Sequence, residues 1–283
     1  MNKLPRPRFN FKYYPTMNYK KLLSIVALAA TIGGLTSCGS TDANNDSMWS
    51  ERLFTPGNYA GLITYNEQGV WTNYALNTSG QTYDGLHLTY AYDAAGSTFT
   101  GMVPSRVYNP VDYGADFNTY PNWAGVIDLR NAAAEDVAPT FGDPFMMARF
   151  NPSESTTSIP AKPSVAISFV TPFYPETMTV CNSSALYYEM KRTFTPDSRA
   201  DKVHLVITGV LGGKKTGSVE VALESADNGE YITKWTTVSL SALNEVDYIY
   251  MQLVGSEGAG KAAVAKYPYF AVGSLAYAFG YNQ

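Results

Sequence analysis

Short runs in which apolar and polar residues alternate, cut apart by Gly, Pro, Asn and Asp, set the strongest limit on this fold. In "GSVEVALE" (residues 217–224) Val219, Val221 and Leu223 share one face, while Ser218, Glu220, Ala222 and Glu224 share the other. Side chains along a strand alternate between faces, so this period of two marks a strand with one face against a core. "LHLTYAY", "PFMMARF", "SVAISFV", "ALYYEM", "KVHLVITG", "YITKWTTVSL", "DYIYMQLVG" and "YFAVGSLAYAF" read the same way. Only "NAAAED" and "LSALNEV" have the composition for a helical turn, and no fixed-period repeat is present. Many short strands without intervening helices predict an all-β, antiparallel β-sandwich, jelly-roll-like and a single domain.

The N-terminal region has a different character. From Met17 the chain reads "MNYKKLLSIVALAATIGGLTSC": two lysines, an apolar run from Leu22 to Leu35, then small residues before Cys38. That is the layout of a secretory signal, and the run is shorter than the roughly 20 residues that span a bilayer. Leu35-Thr36-Ser37-Cys38 resembles the bacterial lipobox, which implies lipidation at Cys38. The expected organisation is therefore a signal peptide over 1–37 with its working start at Met17, Cys38 with a flexible tether over 38–50, and a ligand-binding sandwich over 51–283. The tether "GSTDANNDSMWS" is small and polar. Its Asp42 and Asp46 resemble the acidic export signals of Bacteroidetes surface lipoproteins, so the expected location is the outer membrane, lipid-anchored, on the cell surface.

Residues 1–37 hold six of the 20 basic residues and none of the 24 acidic ones, so a chain cut before Cys38 carries a net charge of −10. An acidic exterior repels nucleic acid and anionic headgroups, which leaves the lipid as the expected membrane contact. With Cys38 lipidated, Cys181 is the one remaining thiol. It lies in an apolar run without basic neighbours and is expected to be a buried, inert core residue.

Catalytic signatures are sparse. His87 and His204 occupy separate strand-like runs, which gives a His-centred triad or zinc site little material. "GSEGAGKA" (255–262) has P-loop-like glycines and Lys261, but Ala262 stands where a magnesium-holding Ser or Thr belongs, and it reads as a glycine-rich hairpin loop. Asp112 and Asp116 could flank a sugar as a carboxylate pair, although Asp in such loops more often caps turns. No enzyme activity, cofactor or metal is expected.

Function is expected in an aromatic-rich irregular segment, "VYNPVDYGADFNTYPNW" (107–123). Tyr and Trp on irregular backbone give large rigid contact area with one polar tip each, the material of a binding surface or of a loop pinned to the core. The candidate ligand contacts are Tyr108, Asn109, Tyr113, Phe117, Asn118, Tyr120, Asn122 and Trp123. Trp71 and Tyr74 join them from an upstream polar stretch that also holds Tyr83.

The C-terminal half, "SSALYYEMKRTF", "DKVHLVITGVLGGKKTGSVEVALESADNGEYITKWTTVSLSALNEVDYIYMQLVGSEG" and "YPYFAVGSLAYAF", resembles a family of secreted jelly-roll domains common in Bacteroidetes. The resemblance covers about residues 165–280 well and 55–150 loosely. The family long carried no assigned function; some members, encoded beside corrinoid transport genes, are surface lipoproteins that bind vitamin B12. What the resemblance implies is a small-molecule ligand, a corrinoid, and a partner outer-membrane transporter. Aromatic loops suit sugar faces and protein partners equally, so a carbohydrate-binding lipoprotein and a structural or adhesive surface protein stand as alternatives. Where the family often ends its last strand with Asp-Asn, this chain has Gly273-Ser274, which implies that any cation bound there by relatives is lost.

Overall fold

A computed structural model describes residues 48–72, 80–83, 85–93, 98–112, 125–128, 140–194, 202–225 and 230–281. The strands are β1 Met48–Phe54, β2 Gln81–Tyr83, β3 Leu86–Leu88, β4 Tyr90–Asp93, β5 Thr98–Tyr108, β6 Gly125–Val126, β7 Thr140–Arg149, β8 Ala166–Asn182, β9 Val203–Leu211, β10 Lys214–Ser225, β11 Glu230–Tyr231, β12 Thr236–Ser239, β13 Val246–Gly255 and β14 Tyr269–Tyr281. Among them every pairing is antiparallel except β5 with β6.

Strand β8 joins the two layers. Its first half pairs with β13 and β3, and its second half with β14 and β12. One layer runs β11-β10-β9-β13-β8-β3-β2, and the other carries β12-β8-β14-β7-β5-β4 with β1 continuing beside β14. The expected jelly-roll-like sandwich is thus formed. Inward residues of the first layer (Leu205, Ile207, Ile249, Met251) and of the second (Met146, Met178, Val180, Leu275) are fully buried in one core. Gly212 and Gly213, at φ 57° and 73°, close β9 onto β10, with Leu211 opposite Lys214. Two successive left-handed residues are what a tight two-residue hairpin requires.

Several expectations are corrected. "ALYYEM" is not a strand but the centre of α1, Ser184–Thr193. Ser183 caps it by accepting from the Leu186 N–H at 3.2 Å, Lys191 and Arg192 sit in its last turn, and residues 184–190 are all buried. Capping and all-round burial override the strand preference of a Tyr-Tyr pair. "GSEGAGKA" does not make a hairpin loop; it opens a two-turn helix, α2 Ala259–Lys266. "YITKWTTVSL" divides between β11 and β12. "LSALNEV" supplies the expected turn, a 3₁₀ segment at Ser241–Leu243; "NAAAED" lies outside the described residues. The tether expectation ran through Ser50, whereas Met48, Trp49 and Ser50 pair with Tyr281, Gly280 and Phe279.

"LHLTYAY" is cut at Thr89 because the chain changes layers there. The Thr89 N–H donates to Ala166 O on β8, while its carbonyl accepts from Met102 N on β5. Gly101, at φ 95°, permits the crossing, since a Cβ there would lie 2.2 Å from Thr89 O. Corners of this kind are where strands of a sandwich switch sheets.

Candidate functional site

The aromatic-rich segment departs from β5 and returns at β6. Val107 pairs with Gly125 and Tyr108 with Val126, so its two ends lie side by side. Asn109 N–H donates to Val126 O at 3.0 Å. A Cβ on Gly125 would come within 2.6 Å of Asn109 Cβ, so only glycine allows this approach. Helix α1 then fastens the departing strand. Ser184 Oγ donates to Asn109 O, Tyr188 Oη donates to Pro110 O, and Arg192 Nη1 bonds Asp112 Oδ1 at 2.6 Å. Beneath them Glu189, 6% exposed, accepts from Arg192 Nη2 at 3.1 Å and from Lys266 Nζ of α2 at 2.9 Å. A nearly buried carboxylate with two cationic donors meets the condition that such a charge be paired.

The outer edge of β5 has its own geometry. Ser105 lies opposite Phe145 but Val107 lies opposite Phe141, so β7 carries extra residues at Gly142–Pro144. A bulge of this type re-aims the side chains beside it. Tyr108 packs its ring against Gly142, where a Cβ would meet Cε2 at 2.5 Å, and its hydroxyl donates to Asp143 O at 3.2 Å. Phe141 turns outward, 51% exposed, over Gly69. Gly69 belongs to a small hairpin over residues 64–72, tied by Asn66 Oδ1 to the N–H groups of Gln68 and Val70. That hairpin docks on β5 through Trp71 N–H to Pro104 O and Arg106 N–H to Gly69 O. The Arg106 guanidinium sits 5.8 Å from the ring centres of both Tyr65 and Phe141. Burial pushes the Tyr65 hydroxyl up to about 12, against the opposing pull of Arg106.

Of the candidate ligand contacts, Trp71, Tyr108 and Asn109 fall among the described residues; Tyr74, Tyr113, Phe117, Asn118, Tyr120, Asn122 and Trp123 lie outside them. Trp71 is half-buried, edge-on to Tyr90, and Tyr108 is edge-on to Phe145. Both border the core rather than standing free, Tyr108 at the root of the segment and Trp71 beside Tyr90 of β4. Asn109 is corrected. It is 2% exposed, its Oδ1 holds Val111 N–H, and its backbone groups serve β6 and α1, so it builds the root and faces no solvent. Tyr83 packs among Phe54 and Tyr59 as satellite core, and burial pushes its hydroxyl strongly up. Sequence reasoning missed Arg106, Tyr65 and Phe141, because nothing in "PSRVY" separates a clamped arginine from an ordinary outward strand residue.

The other chemical candidates disperse. His87 is opposite Ser168, Ser168 opposite Tyr248, and Tyr248 opposite Val210, six residues from His204 on β9. Three strand spacings of about 4.8 Å and six steps of about 3.3 Å separate the histidines by roughly 25 Å. His204 Nδ1 lies 3.5 Å from Glu220. Asp112 is held by Arg192, and Asp116 lies outside the described residues. In the P-loop-like stretch a Cβ on Gly255 would strike Gly260 O at 2.2 Å and one on Gly260 would strike Lys202 O at 2.6 Å, so close packing accounts for these glycines. Lys261 pairs with Glu257. Cys181 is fully buried, its Sγ donating to Ile127 O at 2.9 Å. At Gly273-Ser274, Trp235 covers the glycine and Ser274 Oγ bonds Thr179 Oγ1 at 2.8 Å. Among the described residues no cluster of three or more His, Cys, Asp or Glu has metal-holding geometry.

No protein-family profile matches the chain, and no curated protein does. Among solved structures it is similar to a DUF4465 family protein from Bacteroides caccae, with a TM-score of 0.45 and 13% identity over 79% of this chain and 98% of that one.

Proposed function

We propose that this chain is a non-catalytic binding protein, held at the outer membrane by a lipid on Cys38 and displayed at the cell surface, that captures a corrinoid for uptake through a partner transporter. The observation that supports it is the root of segment 109–124. Its ends are paired side by side, and α1 fastens the departing chain through Ser184, Tyr188 and Arg192. A loop fixed at its base on a rigid scaffold loses less entropy on meeting a ligand than a free one, and loops so placed commonly carry function. The sequence resemblance to B12-binding surface lipoproteins supplies the ligand class. A corrinoid offers a broad amide-fringed ring, suited to aromatic faces with a few amide and hydroxyl groups.

A glycan is the second reading, favoured by the outward ring of Phe141 at the same edge. Calorimetric titration with cyanocobalamin, beside a panel of host and plant glycans, decides between them. Saturable heat from cobalamin, lost when Tyr120 or Trp123 is truncated to Ala, is the expected result. Saturable glycan binding without cobalamin heat transfers the assignment to the second reading, and silence from both leaves a structural or adhesive role.

A further inference from the structure

We propose that Arg106 is an oxyanion-recognition point on the outer edge of β5, taking a phosphate or carboxylate borne on a flat ring. The inference rests on the reading that this edge binds a small ligand, and it narrows that ligand to one with an acidic oxygen group.

The arginines differ in how they are satisfied. Arg149 donates to Phe99 O at 2.7 Å and to Tyr269 Oη at 3.1 Å, and Arg192 is bonded to Asp112 and Glu189. Arg106 is half-buried like Arg149, yet its Nε is buried without an acceptor. The hydroxyl of Tyr65, whose ring the guanidinium faces, is likewise buried without a partner. Buried polar groups in folded proteins nearly always have partners, so two orphans on adjoining side chains mark a place where something else supplies an acceptor. A guanidinium requires acceptors only, and a hydroxyl can donate, so an anionic oxygen satisfies both.

The geometry favours an oxyanion carried beside a ring over a simple ion. The guanidinium lies against both the Tyr65 and the Phe141 rings, and its fork is of the kind that bidentate recognition of phosphate or carboxylate uses. Phe141, held over Gly69 and 51% exposed, offers an adjoining face for a flat apolar group. The phosphodiester of a corrinoid nucleotide loop and the carboxylate of an acidic sugar both supply such anionic oxygens, each within a ligand that also carries rings.

The test uses the purified full-length protein, ¹⁵N-labelled, titrated with phenyl phosphate, benzoate and phenol while the arginine Nε–Hε resonances are followed. Phenyl phosphate or benzoate should move the Arg106 resonance saturably, and phenol should not; whichever anion binds tighter identifies the group. Arg106→Gln should weaken the anion by about tenfold or more, the scale of a charge-assisted hydrogen bond. Arg106→Lys should fall between, because it keeps the charge and loses the fork. Phe141→Ala, at a half-exposed position, should also weaken it. Equal affinity in wild type and Arg106→Gln, or a response to phenol matching that to phenyl phosphate, overturns the inference. If neither anion binds while cyanocobalamin or a glycan does, this inference falls and the binding reading stands.

Discussion

Replacing Gly69 with Ala should damage the edge of β5 by an amount that depends on Phe141. Gly69 has φ 77°, and a Cβ there would sit 2.7 Å from Phe141 Cδ1 and Cε1 and 3.1 Å from Val107 Cγ2. The left-handed backbone alone costs a non-glycine residue about 1–2 kcal/mol. Relief of the clash must come from Phe141, whose ring is half exposed. Half of a Phe contact of roughly 200 Å², at about 25 cal/mol per Å², is about 2.5 kcal/mol, the most that displacing the ring can cost. Gly69→Ala should therefore destabilise by about 2–4 kcal/mol in wild type, but by only about 1–2 kcal/mol when Phe141 is already Ala. Urea unfolding followed by tryptophan fluorescence measures both, as shifts in midpoint at constant slope. An equal cost in the two backgrounds would refute the contact, and a neutral Gly69→Ala would refute the backbone geometry as well.

Tyr188→Phe leaves the Pro110 carbonyl without its donor at a buried site, so it should cost about 1–3 kcal/mol in the same assay, with Ser184→Ala comparable through Asn109 O. Alkaline stability should respond to Tyr65, whose folded hydroxyl titrates near 12 against an ordinary value of 10.0. The unfolded chain gives up that proton first, so the contribution is intact below pH 10 and lost as pH rises through 12; Tyr65→Phe should flatten this part of the profile, and an unchanged profile would reject it. Cys38→Ala should abolish acylation and membrane partitioning, and wild-type partitioning of that variant would sink the lipobox reading.

The strand runs were legible because their period matches a surface buried on one side, as with Val221 and Leu223 inward and Ala222 outward on β10. Helix α1 was hidden because its residues 184–190 are buried on every side, so no polar stripe reports the helical period, and Tyr187 and Tyr188 favour strands. The break in "LHLTYAY" was equally hidden, since it depends on Gly101, a partner distant in sequence, lacking a side chain. At the site, the local chemistry of segment 107–123 was visible as rings among Asn, Asp and Pro, and Asn109 looked like its neighbours. Its burial comes from α1, and sequence spacing carries no trace of that docking. Arg106 was invisible for the converse reason: its two flanking rings arrive from a hairpin and from a bulged strand that only the register reveals.

Strand β14 has a consequence for biogenesis. It is the last of the described strands to be synthesised, yet it occupies the middle of its layer, between β8 on one side and β7 and β1 on the other. Strand β1, the first made of the described strands, pairs there, with Phe54 against Leu275. Until those late residues emerge, β1 has no ladder and the β7 and β8 edges that β14 joins stay open. Closing contacts so distant in sequence is slow. A nascent chain of this topology therefore cannot finish its second layer until its last described strand has left the ribosome.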